Sequence, residues 1–192
     1  MLFSPGWRGP ARQGTVLSVF TLGLLLGGLL SGSVIWLLSG LSAPLPSPLR
    51  VGAILLVAVL GVLREAGLPA VGGIPLPQNA RQIPPDVLQR RLFRGTLQFG
   101  FELGTGVRTY VSASAPYVLA LVLLLSHQPY PATALVGAAF GLGRALTATL
   151  TLLSRDPARD AAIALRMPWI RNSTALTALL SLTLLSVTLL FR

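Results

Sequence analysis

Three side chains that ionise in water fall inside apolar stretches of this sequence: Glu102, Arg108 and Arg144. A charge held in hydrocarbon is costly, so it marks a solute path, a proton relay or an ion pair with a definite partner. Glu102 is the only carboxylate well inside such a stretch, and hence the only internal general acid or base candidate. Arg108 sits in Gly104-Thr105-Gly106-Val107-Arg108-Thr109-Tyr110, a locally polar run with two glycines. If a helix loosens there, freed backbone groups, the guanidinium and the Tyr110 hydroxyl line a cavity suited to an anionic group.

Depth links two of these charges. At 1.5 Å rise per residue, Glu102 lies roughly 9–10 Å past the start of its apolar stretch, and Arg144 roughly 13–14 Å before the end of its own. On antiparallel neighbours those depths match, which predicts a Glu102–Arg144 ion pair. Arg108 stands six residues beyond Glu102, roughly 240° round the helix, so one partner does not easily serve both.

Other chemistry is excluded by absence. There is no cysteine, so disulfides, thiol redox work, Cys-ligated zinc and iron–sulfur clusters are ruled out. All 15 basic residues are arginine, which removes a Schiff-base lysine and the lysine of a phosphate-binding loop. The one histidine, His127, cannot make a multi-histidine metal site. It lies in His127-Gln128-Pro129-Tyr130-Pro131 with no acidic neighbour in sequence, the setting of a solvated rather than a catalytic histidine. No cofactor or metal is implied.

The elements that hold these residues are read from hydropathy. Of 192 residues, 53% are hydrophobic and 10% charged, against about 25% charged in a soluble domain. The chain therefore reads as an all-α integral membrane protein, one transmembrane helical domain over 1–192. Apolar stretches of spanning length, about 20 residues, fall near Val16–Gly40, Leu49–Leu63, Thr96–Ser126, Ala132–Leu153 and Thr174–Phe191. The second reaches 66 if Pro48 starts the helix and Arg64 snorkels. The third is too long for one straight span and too short for two. Ser112-Ala113-Ser114-Ala115-Pro116 within it predicts a kinked or strongly tilted helix. The first exceeds the length of a signal-peptide core and reads as an uncleaved span.

Arginines set the orientation. Arg8 and Arg12 precede span one; Arg64, Arg81, Arg90, Arg91 and Arg94 separate spans two and three; Arg155, Arg159, Arg166 and Arg171 separate spans four and five. The alternate side holds Arg50, His127 and Arg192. Positive-inside bias then puts the N-terminus in the cytoplasm and the C-terminus outside. The net charge of +10 thus reads as topology signal and lipid contact, with the bilayer and not nucleic acid as partner. Asp156 as N-cap and Pro157 at the first helical position predict a short interfacial helix before span five, anchored by Trp169. Asn172-Ser173-Thr174 matches a glycosylation site, but on the cytoplasmic side it reads as a helix cap. The residue usage, rich in Ala, Leu, Gly and Arg, suggests a GC-rich bacterium and so a bacterial inner membrane.

Glycines recur at helical spacing: Gly23 with Gly27, Gly28 with Gly32, Gly100 with Gly104, and Gly137 with Gly141. Small residues four apart let helix backbones approach where lipid gives no hydrophobic drive for association. Packing within the bundle is the simplest use, and contact with a second copy or another membrane protein is the alternative. Leu22–Gly27 also matches Phe99–Gly104, and Gly61–Arg64 matches Gly141–Arg144, which suggests a parallel repeat of a two-helix unit. Thr177, Ser181 and Thr188 line one side of span five, where hydroxyls usually bond to helix backbone.

The polar break, the glycine-bearing spans and the repeat give an outline that resembles the thiol electron carriers of the cytochrome-c-biogenesis and disulfide-reductase membrane families. Those carriers need paired cysteines and an inverted three-span repeat; this sequence has neither, and no residue is carried over. The functional expectation is a small transporter or solute-binding membrane protein, with Glu102, Arg108, Tyr110 and Arg144 at its site. A non-catalytic subunit, assembly factor or scaffold is the alternative, and an intramembrane enzyme using Glu102 ranks last.

Overall fold

The computed structural model describes residues 10–65, 92–106 and 114–154, with residues 161–163, 165, 166, 169, 173 and 177. All regular structure among them is helical. Five longer helices occur: α1 (Pro10–Ser39), α2 (Ser47–Glu65), α3 (Leu92–Gly104), α4 (Ala115–Ser126) and α5 (Tyr130–Ser154). A 3-10 turn, Gly40–Ser42, follows α1. Proline is the second residue of α2, α4 and α5 (Pro48, Pro116, Pro131), where its fixed φ suits a first turn and its missing N–H costs nothing.

Among the described residues, three segments are long and apolar enough to cross a membrane: Gln13–Ser42, Ser47–Arg64 and Tyr130–Leu150. Each presents large apolar side chains outward, with Leu37, Leu41 and Leu135 about two-thirds or more exposed. Such faces would be untenable in water, and they suit hydrocarbon. The second span gains the length it needs by starting at Ser47 and running through Arg64.

Span three departs from expectation. Within the stretch expected to be one kinked or tilted helix, α3 stops at Gly104, Gly106 takes φ +71°, and Ala115 begins α4; residues 107–113 lie outside the described residues. The stop lies well before Ser112–Pro116, where the sequence suggested a bend. Of the expected fifth span, Thr174–Phe191, only Thr177 is described; it is helical, and its hydroxyl donates to the carbonyl of Ser173, just before that stretch, at 2.8 Å. The segment proposed as interfacial is helical at 161–163, 165, 166 and 169, with Ile163, Leu165 and Trp169 exposed; the rest of it lies outside the described residues.

The chain divides into two compact units. The first contains α1 as far as Val34, with α3 and α5. Here Gly23 lies against Leu97 and Gly100, and Gly27 against Phe101 and Gly104, so α1 and α3 run parallel. On another side of α1, Leu24 meets Gly141, Gly28 meets Gly137 and Gly32 meets Thr133, so α5 runs antiparallel. Phe20, Leu24 and Ala145 form the buried centre, with Leu17, Phe99, Leu103 and Ala148 around it.

The second unit contains the end of α1 with its 3-10 turn, α2 and α4. Ile54, Ala58 and Val122 are its core, flanked by Val118 and Leu125. Gly61 faces Val118 and accepts from Ser114, while Ile54 and Ala58, earlier on α2, lie with Val122, later on α4, so the two helices are antiparallel. At its other end the buried Ser42 hydroxyl lies 2.7 Å from the carbonyls of both Ser39 and Leu124. His127 ends α4 in a left-handed conformation, uncommon for a residue other than glycine. Ser39 gives its one hydroxyl proton to the Trp36 carbonyl at 2.6 Å, so Nδ1 of His127, 3.1 Å away, is the donor to Ser39 Oγ.

Candidate functional site

A helix that stops within a span frees carbonyls that lipid cannot satisfy, so each needs a partner from protein or water. At the end of α3 the partners are mostly local. Thr105 N–H donates to Phe101 O at 3.0 Å and Gly106 N–H to Leu103 O at 3.2 Å. The Thr105 hydroxyl donates to Glu102 O at 2.8 Å. The Thr105 carbonyl accepts from Ser31 of α1 at 3.0 Å. Gly106 takes φ +71°, the left-handed terminus that glycine adopts without strain. The Thr-Gly pair is therefore what ends the helix here, and Ser31 fastens that end to α1.

The stop lies level with the interior of the first candidate span. Gly104 abuts Leu24 of α1, and Leu24 stands 11 residues inside the segment Gln13–Ser42, roughly 16–17 Å at helical rise. Leu24 is wholly buried, and its carbonyl meets both Gly104 of α3 and Gly141 of α5. Three helix backbones converge at this point.

That convergence sets the levels of the candidate charges. Gly104 and Gly141 share the Leu24 level, with α3 parallel and α5 antiparallel to α1. Glu102, two residues before Gly104, and Arg144, three residues after Gly141, thus lie on the same side of Leu24, roughly 3 and 4.5 Å along the axis. Glu102 accepts a hydrogen bond from Gln98 Nε2 at 3.1 Å, one turn back on α3. The Arg144 guanidinium stands over the Phe140 ring at 5.6 Å, a favourable arrangement where water is scarce. The same ring packs against Gly106, 3.4 Å from the point a Cβ would occupy. Arg144 is thereby held on the face of α5 that meets the end of α3, whose partial negative charge favours a cation.

Arg108 and Tyr110 lie outside the described residues. All six glycines singled out for packing are at helix contacts: Gly23 and Gly27 with Gly100 and Gly104, and Gly137 and Gly141 with α1. Ser31 and Phe140 were missed in the sequence. Ser31 had a signal, as part of Ser31-Gly32-Ser33 within an otherwise apolar helix; Phe140 had none beyond its place one turn before Arg144. No protein-family model, curated protein or solved structure matches this chain.

Proposed function

We propose that this chain is a small multi-pass transporter or solute-binding protein of a bacterial inner membrane, handling a small anionic solute at the break after α3. One observation carries the reading: α3 ends level with Leu24 of α1, beside Ser31, Phe140 and Arg144. A discontinuous helix places backbone polar groups and cationic side chains where a desolvated anion can be held. In this reading Arg108 and Tyr110 complete the site, while Glu102 and Arg144, at matching levels, act as gate or strut. The five-span arrangement, N-terminus in the cytoplasm and C-terminus outside, belongs to the same proposal. So does the parallel repeat: Gly23 and Gly27 lie against their counterparts Gly100 and Gly104, as two copies related by an axis along the membrane normal would.

Uptake of labelled phosphate, sulfate and acetate into liposomes bearing the purified protein tests it. Flux of at least one anion should exceed that of protein-free vesicles. Arg108→Ala should lower it about tenfold, the worth of a charged hydrogen bond lost from a dry site. Undiminished flux in that variant would overturn the reading.

A second reading, a non-catalytic subunit or scaffold, has its own support. Ser18, Ser33, Thr147 and Thr149 all bond to carbonyls of their own helices and so offer little to a solute. Recovery of a stoichiometric partner from native membranes, with no flux of any anion, would favour it.

A further inference from the structure

The second unit holds a cavity unrelated to the α3 break. It is about 30 Å³ and is lined by Ser47, Arg50 and Val51 of α2 with Leu125 and Ser126 of α4. That volume admits about two water-sized groups. Its polar lining is a guanidinium and two hydroxyls, with no carboxylate among the lining residues.

These groups are poorly occupied by one another. Arg50 Nε is buried without a hydrogen-bond partner. Arg50 Nη2 reaches Ser47 Oγ only at 3.4 Å, and Ser126, itself 5% exposed, reaches the Leu123 carbonyl only at 3.4 Å. Both distances exceed the usual hydrogen-bond range. A guanidinium has five donors and no acceptor, so what the cavity lacks is a negatively charged acceptor.

The start of α2 does not itself supply the site. Leu49 and Arg50 N–H already donate to Pro46 O at 3.0 and 3.2 Å, and Pro48 has no N–H. Side chains carry the recognition: Arg50 as a planar fork, Ser47 and Ser126 as flanking donors, and Val51 and Leu125 as an apolar wall. Arginine prefers oxyanions with this geometry.

Depth identifies the oxyanion. Ser47 begins the apolar segment of α2, so the cavity lies at the end of a span, at the level of lipid phosphates. The geometry points to a phosphate-oxygen site at Arg50, Ser47 and Ser126, entered by two oxygens of the phosphodiester of an anionic phospholipid or of free inorganic phosphate. It needs no solute at the α3 break and stands apart from the proposed transport.

Titration of delipidated, detergent-solubilised protein with phosphatidylglycerol, read by native mass spectrometry, tests the site, with thermal shift in sodium phosphate against sodium chloride as the second arm. Arg50→Gln, Arg50→Lys and Ser126→Ala are compared with the unmodified chain. If lipid is the source, phosphatidylglycerol binding weakens about tenfold in Arg50→Gln, less in Arg50→Lys, and about threefold in Ser126→Ala. If free phosphate is the source, the phosphate-specific thermal shift is lost in Arg50→Gln, and lipid binding is the same in every variant. Equal lipid binding and equal phosphate response in unmodified and Arg50→Gln protein would overturn the inference. Should Arg50→Gln not fold, Ser126→Ala decides by the same readings, and no change in either overturns it.

Discussion

The two units solve the problem of holding helices together in opposite ways. In the first, backbone meets backbone: Gly28 and Gly137 each press on the other's carbonyl, and Leu24 O touches both Gly104 and Gly141. In the second, Ile54, Ala58 and Val122 interdigitate as ordinary side chains, and hydroxyls of Ser42 and Ser114 tie the ends to facing carbonyls. Lipid is as apolar as leucine, so association rests on close packing and hydrogen bonds. The first unit uses closeness, which leaves no room for a single added carbon. The second uses side-chain fit and donors, which can lose an atom group and relax.

The largest expected effect breaks the first kind of contact. A Cβ on Gly28 would overlap the Gly137 carbonyl, which is backbone and cannot rotate away. Gly28→Ala should cost about 3 kcal/mol, the upper end of ordinary overpacking, read as a large drop in the thermal midpoint in detergent. In the second unit, Ile54→Ala opens space beside Val122 and Ala58. In water such a truncation costs about 2–5 kcal/mol, but in lipid most of the transfer term is absent, so about 1–2 kcal/mol is expected by the same measurement. If Ile54→Ala proved the more damaging of the two, the contrast between the units would be false.

How much of this was visible in the sequence depends on the range of the cause. Apolar length located α1, α2 and α5, because a span must be that long whatever it packs against. The glycines singled out by spacing, Gly23, Gly27, Gly100, Gly104, Gly137 and Gly141, lie at close backbone contacts that a larger residue would not permit. Which helix each one faces depended on tertiary pairing. The end of α3 was half legible: the polar Gly104–Tyr110 run raised a loosened helix, yet proline at 116 drew the expected bend further along. Pro116 instead opens α4, as proline commonly does in a first turn. Arg50 was read only as a lone charge on the sparse side, since its cavity is completed by Leu125 and Ser126, distant in sequence and silent in pattern.

A smaller effect sharpens the second unit's side of the comparison. Ser42→Ala removes a buried hydroxyl shared by the Ser39 and Leu124 carbonyls. Hydrogen bonds in membrane proteins average about 0.6 kcal/mol by mutant cycles, so a loss of that order is expected. Hydrogen exchange should report it as faster opening confined to the α4 end, with residues around Leu24 unaffected.

An effect of similar size carries the opposite sign. Gly143 lies two residues beyond Gly141 on α5, yet a Cβ there meets nothing within 4 Å, whereas at Gly141 it would strike the Leu24 carbonyl. Alanine in a helix interior is favoured over glycine by roughly 0.5–1 kcal/mol, mainly by restricting the unfolded chain. Gly143→Ala should therefore raise the thermal midpoint slightly, while Gly141→Ala lowers it sharply. The pair separates glycines that serve backbone contact from those that do not, on one helix and one turn. It also bears on the scaffold reading. An open glycine on an exposed face is where another helix could rest, and there the added methyl would hinder. Gain in detergent joined to loss of a co-purifying partner from native membranes would assign that face of α5 to assembly; gain in both settings leaves it to lipid.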